Sequence, residues 1–201
     1  MFYGTVRAQV PKNLISQTAG LVGDTVITTR EVQINHLLEQ ASYSKQKVVG
    51  IDVEDSKFKS FVTGVVLEWV VYKEAIALQY GVVDEKEIDK MVKQVRLKLA
   101  GIKPWQKLQA TNEEIRSHVE RKIRAKTFIQ FKANSSIVPI TDTEALQYYQ
   151  QNRSRFGSLE FAQFKDRIIK FLTRQQVDQR LKSWFQVLRQ KYKVKNIMAE
   201  L

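Results

Sequence analysis

The sequence of 201 residues contains no cysteine. This absence excludes disulfide bonds, thiol nucleophiles, cysteine-based zinc sites and the lipid-modified cysteine of a bacterial lipoprotein. It leaves the redox compartment open, because a chain without thiols fits an oxidising space and a reducing one equally well.

Proline, glycine and long apolar runs are also scarce. Three prolines and eight glycines leave long uninterrupted stretches, which favours helices over a turn-rich β fold. No segment approaches the roughly 20 apolar residues that a membrane span needs. Residues 1–9 lack both the basic start and the apolar run of a complete signal peptide, so we expect any export signal to have been removed or to lie outside this sequence.

Motifs for catalysis and cofactor binding are missing as well. There is no Gly-rich phosphate loop, no nucleophile elbow and no histidine-based triad. The two histidines are His36 and His118. His118 follows Glu114 by four residues, so both can face one side of a helix and approach a metal, but two ligands without a third are explained more simply as a surface pair. We therefore expect no catalytic residue, no metal and no cofactor.

Positive charge is abundant. The formal net charge is +12, and between Arg153 and Lys195 twelve basic residues face three acidic ones. Such an excess can attract nucleic acid, anionic lipid or acidic protein, and the simplest interpretation is a solvated helix face.

Apolar residues recur at helical spacing along most of the chain, and caps mark the helix starts. Residues 58–80 form the strongest pattern and predict a central buried helix that Gly81 ends. A long helix is expected from Ser158 and should lie across the bundle. The other helix starts carry an oxygen-bearing cap with glutamate three residues later: Thr28 with Glu31, Asp84 with Glu87, Thr111 with Glu114, and Thr141 with Glu144.

The two ends of this helical region look like short strands. Residues 19–27 have the pattern of a hairpin around Gly23 and Asp24, and residues 192–197 alternate apolar and polar side chains. A lone strand leaves its backbone unpaired, so we predict that the last segment pairs with the hairpin. The expected fold is mainly α with a small antiparallel β element. Exchange of the terminal strand or of a helix between two copies would instead give a homodimer.

In this order, the signals resemble the N-terminal chaperone region of SurA and related parvulin-type proteins. Residues 21–28 (LVGDTVIT) are similar to the family's strand, turn, strand and threonine cap, and residues 80–88 (YGVVDEKEI) to its glycine stop and acidic helix start. Residues 140–144 (ITDTE) and 148–152 (YYQQN), with Phe156, are similar to the segment before the isomerase module. The family's closing helix and strand have similar residues here at Trp184, Leu188, Arg189 and 192–194 (YKV).

The resemblance implies a domain organisation. Residues 1–18 would be an N-terminal extension, and residues 19–197 one chaperone domain, with the hairpin and helices in 19–156 and the closing helix and strand in 158–197. In relatives with a parvulin isomerase, about a hundred residues separate the equivalents of Phe156 and Leu159, whereas only Gly157 and Ser158 do so here. The chain is thus expected to lack isomerase activity and not to be an enzyme.

The function implied by the resemblance is that of an ATP-independent periplasmic chaperone. It would hold unfolded or extended segments of envelope proteins, including outer-membrane proteins, on a concave apolar surface through many weak contacts. Residues near turns or helix ends are the candidates for client contact: Trp105, Tyr148, Tyr149 and Phe156. Packing inside the domain is the competing interpretation for each, and more strongly so for Trp69 and Trp184, which lie within apolar stripes.

Two other functions stay open. A helical nucleic-acid-binding protein would use the late basic stretch, with affinity that falls steeply with salt and with neutralisation of Arg174, Arg180, Lys182, Arg189 and Lys191. No nucleic-acid motif is recognisable there, so no nucleic-acid partner is expected. A scaffold or assembly module would instead keep its apolar groove permanently occupied by a partner or a second copy.

Overall fold

The computed structural model describes residues 16–44 and 46–198. The described chain opens with a hairpin of β1 (Thr18–Val22) and β2 (Thr25–Thr28), which pair antiparallel with Leu21 opposite Val26. Gly23 lies in the turn with φ of 62°, a left-handed conformation that glycine adopts without steric cost.

Seven α-helices follow the hairpin within these ranges, and their order agrees with the sequence pattern. The bounds are α1 Thr29–Tyr43, α2 Phe58–Ala77, α3 Glu85–Leu99, α4 Lys103–Leu108, α5 Asn112–Ser135, α6 Asp142–Gln151 and α7 Phe161–Lys191, with a 3₁₀ turn at Arg153–Arg155 before α7. The mainly α fold with a small β element is confirmed.

Local caps fix several of these boundaries. Thr111 and Thr141 each form the predicted capping box, in which the threonine hydroxyl accepts from the glutamate amide and the glutamate carboxylate accepts from the threonine amide. Asp84 also caps α3 as predicted, but its carboxylate accepts from the Lys86 amide at 2.9 Å.

Two predicted boundaries are wrong. The central helix α2 ends at Ala77 rather than Tyr80, because Gln79 takes the left-handed position (φ 51°) and the Tyr80 amide donates back to the Ala75 carbonyl at 2.8 Å. The last helix begins at Phe161 rather than Ser158, because the Leu159 carbonyl accepts from the Tyr149 hydroxyl at 2.6 Å and leaves the next residue extended. The short helix α4 has Pro104 in its first turn, where a missing backbone N–H costs no helical hydrogen bond.

The core is built around α2. One apolar cluster joins the hairpin, α2 and the end of α7, and a second joins α1, α3 and α5. A third lies where α2, α5 and α7 meet. The fourth is separate and consists of α6 packed on the first half of α7, which makes α7 the helix that connects this lobe to the rest.

The two ends of the fold meet as predicted, although the final segment makes a single bridge rather than a strand. Leu21 and Lys195 form an antiparallel bridge in which each amide donates to the other carbonyl, at 2.7 and 3.0 Å. The Gly23 amide donates to the Tyr192 carbonyl at 2.7 Å, and the Met198 amide donates to Ala19 at 3.2 Å. We refer to these contacts between residues 19–23 and residues 192–198 as the terminal clasp.

Residues 1–15 of the expected N-terminal extension (1–18) lie outside the described residues; Thr18 belongs to β1. Across the described ranges, none of the helices combines the length and apolar character that crossing a membrane requires.

Candidate peptide-binding groove

Two open grooves meet at Leu67 of α2 and Phe185 of α7, since both residues line both grooves. Groove A, of about 830 Å³, runs between α1, α2 and α5. Groove B, of about 740 Å³, runs between α2, α7 and the terminal clasp. The two grooves are therefore neighbours with a common border at Leu67 and Phe185, and both are assembled from helices that are far apart in the chain.

The lining of both grooves is largely apolar. Groove A is lined by Val65, Phe61, Ala125 and Ile129 among others, and groove B by Val66, Leu181 and Val194. Because α2 carries apolar residues around most of its circumference, one side enters the core while another remains for the grooves.

Gly64 is an exposed residue of α2 that lines groove A. Apart from the adjacent residues and the backbone of its own helix, no atom lies within 4 Å of the position that a Cβ would occupy there. The residue stands inside a regular helix, where glycine is unfavourable by about 0.5–1 kcal/mol relative to alanine. A larger side chain at this position would project into the groove.

Aromatic and basic side chains form part of the walls of groove A. The His36 ring packs edge-on against Phe61 with centroids 4.3 Å apart, and burial lowers the pKa of His36 below its ordinary value. The Lys126 ammonium lies 4.3 Å from the centre of the Tyr43 ring, whose residue is 46% exposed. These rings offer contact area for an apolar or aromatic side chain.

A largely buried charge network forms part of the wall of groove A and holds α1, α2 and α5 together. Glu68 accepts from Arg121 and Lys122, both at 2.8 Å, and from the Asn35 amide at 3.0 and 3.1 Å. The Lys122 ammonium also donates to Asn35 at 3.2 Å and to Glu39 at 3.3 Å, so all three of its donors are used. The network fixes the walls of the groove relative to one another.

Arg121 extends the network to the start of α1. Its guanidinium lies 4.2 Å from the centre of the Trp69 ring and 3.1 Å from the Glu31 carboxylate, which also accepts from the Trp69 indole at 2.6 Å. The sequence pattern identified Glu31 only as the partner of the Thr28 cap. The Thr28 hydroxyl does accept from the Glu31 amide at 3.1 Å, while the Glu31 carboxylate connects α1 to α2 and α5.

The electrostatics of this network follow from burial and pairing. Burial acts to raise the pKa of Glu68, but Lys122 and Arg121 outweigh it and hold that pKa below its ordinary value. Burial likewise acts to lower the pKa of Lys122, and Glu68 and Glu39 outweigh it so that the pKa is raised. Burial raises the pKa of Glu31 despite Arg121. Glu68 and Lys122 thus remain charged near neutral pH.

His118 is a buried member of this region, and its interpretation as a surface pair with Glu114 is wrong. Arg121 donates to the His118 Nδ1 atom at 2.8 Å, and burial together with Arg121 lowers the pKa of His118 to about 3. Glu114 instead accepts from Arg30 at 2.6 Å. Within residues 16–44 and 46–198 there is no group of three His, Asp or Glu side chains placed to hold a metal ion.

The four candidate client-contact residues do not lie in the grooves. Tyr148, Tyr149 and Phe156 come together in the cluster of α6 and α7, where Tyr149 is only 8% exposed and is a core residue. Tyr148 and Phe156 are partly buried against it. Trp105 packs partly buried against the cluster of α1, α3 and α5. Trp69 and Trp184 are partly buried against the core.

The late basic stretch is partly used inside the molecule. Of the five cations considered for nucleic acid, Arg180 donates to the Ser136 carbonyl at 3.1 Å, Lys191 donates to Glu74 at 2.5 Å, and Arg174 lies 3.9 Å from Asp178. Lys182 and Arg189 line groove B instead. This distribution differs from one continuous basic face.

Comparisons of the chain with protein-family models, with curated proteins and with solved structures find no match.

Proposed function

We propose that this protein is an ATP-independent chaperone that holds unfolded or extended segments of other proteins in grooves A and B. The observation that carries the proposal is that two largely apolar grooves lie side by side and share Leu67 and Phe185 in their linings. Each groove has the size of an ordinary ligand site, and together they suit an elongated occupant better than a compact one.

The physical basis is the balance between apolar burial and ordering. A flexible polypeptide loses conformational entropy when it is held, so several modest apolar contacts spread along a groove suit this task. The wall is stabilised beneath by Glu68, Arg121 and Lys122, so binding does not have to order the receiving surface.

The client class and the compartment rest on the SurA-like sequence pattern. We propose that the clients are envelope proteins, including outer-membrane proteins, and that the chaperone works in the periplasm. The mechanism that we propose uses no nucleotide and no catalytic group, and without a parvulin module the chain is expected not to accelerate prolyl isomerisation.

The experiment is suppression of aggregation of a chemically unfolded outer-membrane protein, measured by light scattering without ATP. The wild-type chain should suppress aggregation in a saturable way. Gly64→Phe places a ring in groove A and should weaken suppression, whereas Gln94→Phe adds the same ring at an exposed position of α3 outside both grooves and should not.

Circular dichroism of each variant establishes that it is folded. If the folded wild-type chain suppresses no aggregation and binds no unfolded client, the proposed function is wrong. Equal suppression by the folded Gly64→Phe and Gln94→Phe variants would place client binding elsewhere on the surface.

A further inference from the structure

The carboxylates that line the grooves are already matched by cations of the protein itself. Glu68 bonds to Arg121 and Lys122 at 2.8 Å, and Glu39 bonds to Lys122 at 3.3 Å. Asp178, on the wall of groove B, lies 3.9 Å from Arg174. Glu68 therefore presents little negative charge to an occupant, and Glu39 and Asp178 each have a cation of the protein beside them.

Three cations around the grooves have no such match. Lys126 lines groove A, and Lys182 and Arg189 line groove B; all three residues are exposed. In the part of the chain that the structure describes, none of them has a carboxylate within 4 Å. An apolar floor thus has a rim with excess positive charge.

We propose that the grooves select extended polypeptide segments in which acidic residues accompany apolar ones. The apolar side chains enter the grooves near Leu67 and Phe185, while the acidic side chains approach Lys126, Lys182 and Arg189 at the rim. This inference rests on the proposed function and specifies its substrate class.

The size of the effect follows from the position of these cations. Exposed ion pairs contribute little each, so one acidic residue at the rim should change affinity by about two- to fivefold. Rim charges act mainly on selectivity and on the rate of encounter, and salt weakens both. Apolar contacts therefore provide the basic affinity, and the rim discriminates among apolar segments.

The experiment compares three fluorescent peptides with the same apolar and aromatic residues and with Glu, Gln or Lys at the intervening positions. Their dissociation constants for the wild-type chain are measured by fluorescence anisotropy at low and high salt. The Glu peptide should bind most tightly and the Lys peptide most weakly at low salt, and the three affinities should converge at high salt.

Two variants separate the rim from the net charge of the whole protein. Lys182→Glu changes a rim residue of groove B, and Lys170→Glu makes the same charge change at an exposed position of α7 outside both grooves. Lys182→Glu should reduce the preference for the Glu peptide at least twofold more than Lys170→Glu does.

The outcomes distinguish this inference from the function beneath it. Equal affinity for the three peptides at low salt, or equal loss of preference in the two variants, overturns the selectivity proposed here and leaves the chaperone function standing. Failure of the folded wild-type chain to bind any of the three peptides overturns the proposed function itself.

Discussion

Glu68 of α2 bonds to side chains of both α1 and α5. It is held by Asn35 from α1 and by Arg121 and Lys122 from α5, all within hydrogen-bonding distance. A buried ion pair adds little when compared with a well-packed apolar substitute, but removal of one partner leaves the other charge buried and unpaired. Loss of Glu68 would leave Arg121 with Glu31, and Lys122 with the more exposed Glu39, as their remaining carboxylate partners.

Replacement of Glu68 by leucine should therefore lower the free energy of unfolding by about 3–5 kcal/mol. Glu39→Leu is the matched control, because Glu39 pairs with the same Lys122 but its side chain is 62% exposed, and its loss should cost less than about 1 kcal/mol. Urea denaturation measures both. Equal, small effects would mean that the buried network does not hold the three helices together.

His118 gives the same region a dependence on pH. Its pKa is about 3 in the folded protein against 6.5 for the unperturbed group. The unfolded chain binds this proton more readily than the folded chain does. The contribution of neutral His118 to the free energy of unfolding is therefore complete above pH 6.5 and decreases as the pH drops from 6.5 towards 3. Protonation at Nδ1 would also break the bond that Arg121 donates.

We expect His118→Asn to flatten the stability profile between pH 6.5 and 5. His36, whose pKa is also lowered, contributes a loss of stability on acidification in both the wild type and the His118→Asn variant. Glu31, whose pKa is raised, contributes a gain of stability on acidification in both proteins. The difference between the two denaturation profiles isolates His118, and parallel profiles across this window would contradict the assignment.

At the scale of the helices and strands, two glycines have opposite roles. Gly64 has open space around it, whereas a Cβ on Gly20 would lie 3.0 Å from the Lys195 carbonyl oxygen and 3.1 Å from a Val66 methyl group. The first glycine leaves a groove open in α2, and the second permits close approach in the terminal clasp.

Gly64→Ala should accordingly raise the free energy of unfolding by about 0.5–1 kcal/mol, because alanine favours the helix and meets no neighbour. Gly20→Ala should lower it, because Lys195 and Val66 must move aside. Thermal and urea denaturation of the two variants give the signs directly. Two shifts in the same direction would contradict the packing described for one of them.

The sequence predicts those parts of the elements that depend on near neighbours. The caps at Thr111 and Thr141 involve residues three positions apart, so a single sequence contains all of their information. The end of α2 was missed because Gln79, a residue without glycine's freedom, takes the left-handed position. Glu31 was recognised as a capping partner, whereas its bond to Trp69 depends on tertiary packing across 38 positions.

The grooves could not be predicted from the sequence, because they also depend on tertiary packing between distant residues. Tyr148, Tyr149 and Phe156 are close in sequence and do come together, but in a core cluster. Leu67 and Phe185 are more than a hundred positions apart, and only the crossing of α2 and α7 brings them to one surface. The available signal was the wide apolar stripe of α2, which indicates burial on one side and a further apolar surface on another.

For the whole molecule, the terminal clasp sets the relation of α7 to the body of the fold. The clasp joins β1 to the segment that follows α7, and Glu74 of α2 accepts from both Lys191 and the Tyr192 hydroxyl, at 2.5 and 2.7 Å. Burial and Glu74 together raise the pKa of Tyr192 to about 12. One wall of groove B therefore depends on the terminal clasp.

A disulfide should test the clasp, and the absence of native cysteine makes the test clean. Leu21 and Lys195 are directly opposite in an antiparallel bridge, a spacing of about 5.5 Å between Cα atoms that a disulfide can span. Leu21→Cys with Lys195→Cys should form a disulfide within the monomer and raise stability by about 2–4 kcal/mol.

The control pair is Val26→Cys with Lys195→Cys, because β1 lies between these two positions and no internal bond should form. Non-reducing mass analysis distinguishes the products. A disulfide between two copies of the Leu21→Cys/Lys195→Cys chain would indicate exchange of the terminal segment in a homodimer, and no disulfide at all would contradict the clasp.

The most direct test of the account is photo-crosslinking from Leu67, the α2 residue that lines both grooves. A benzoylphenylalanine at position 67 should crosslink to an unfolded outer-membrane protein without ATP, and an excess of an unlabelled apolar peptide should compete with it. The same group at Gln94 should give little crosslinking. Equal crosslinking from positions 67 and 94, or none from position 67 in the folded chain, would contradict the assignment of the grooves as the client-binding site.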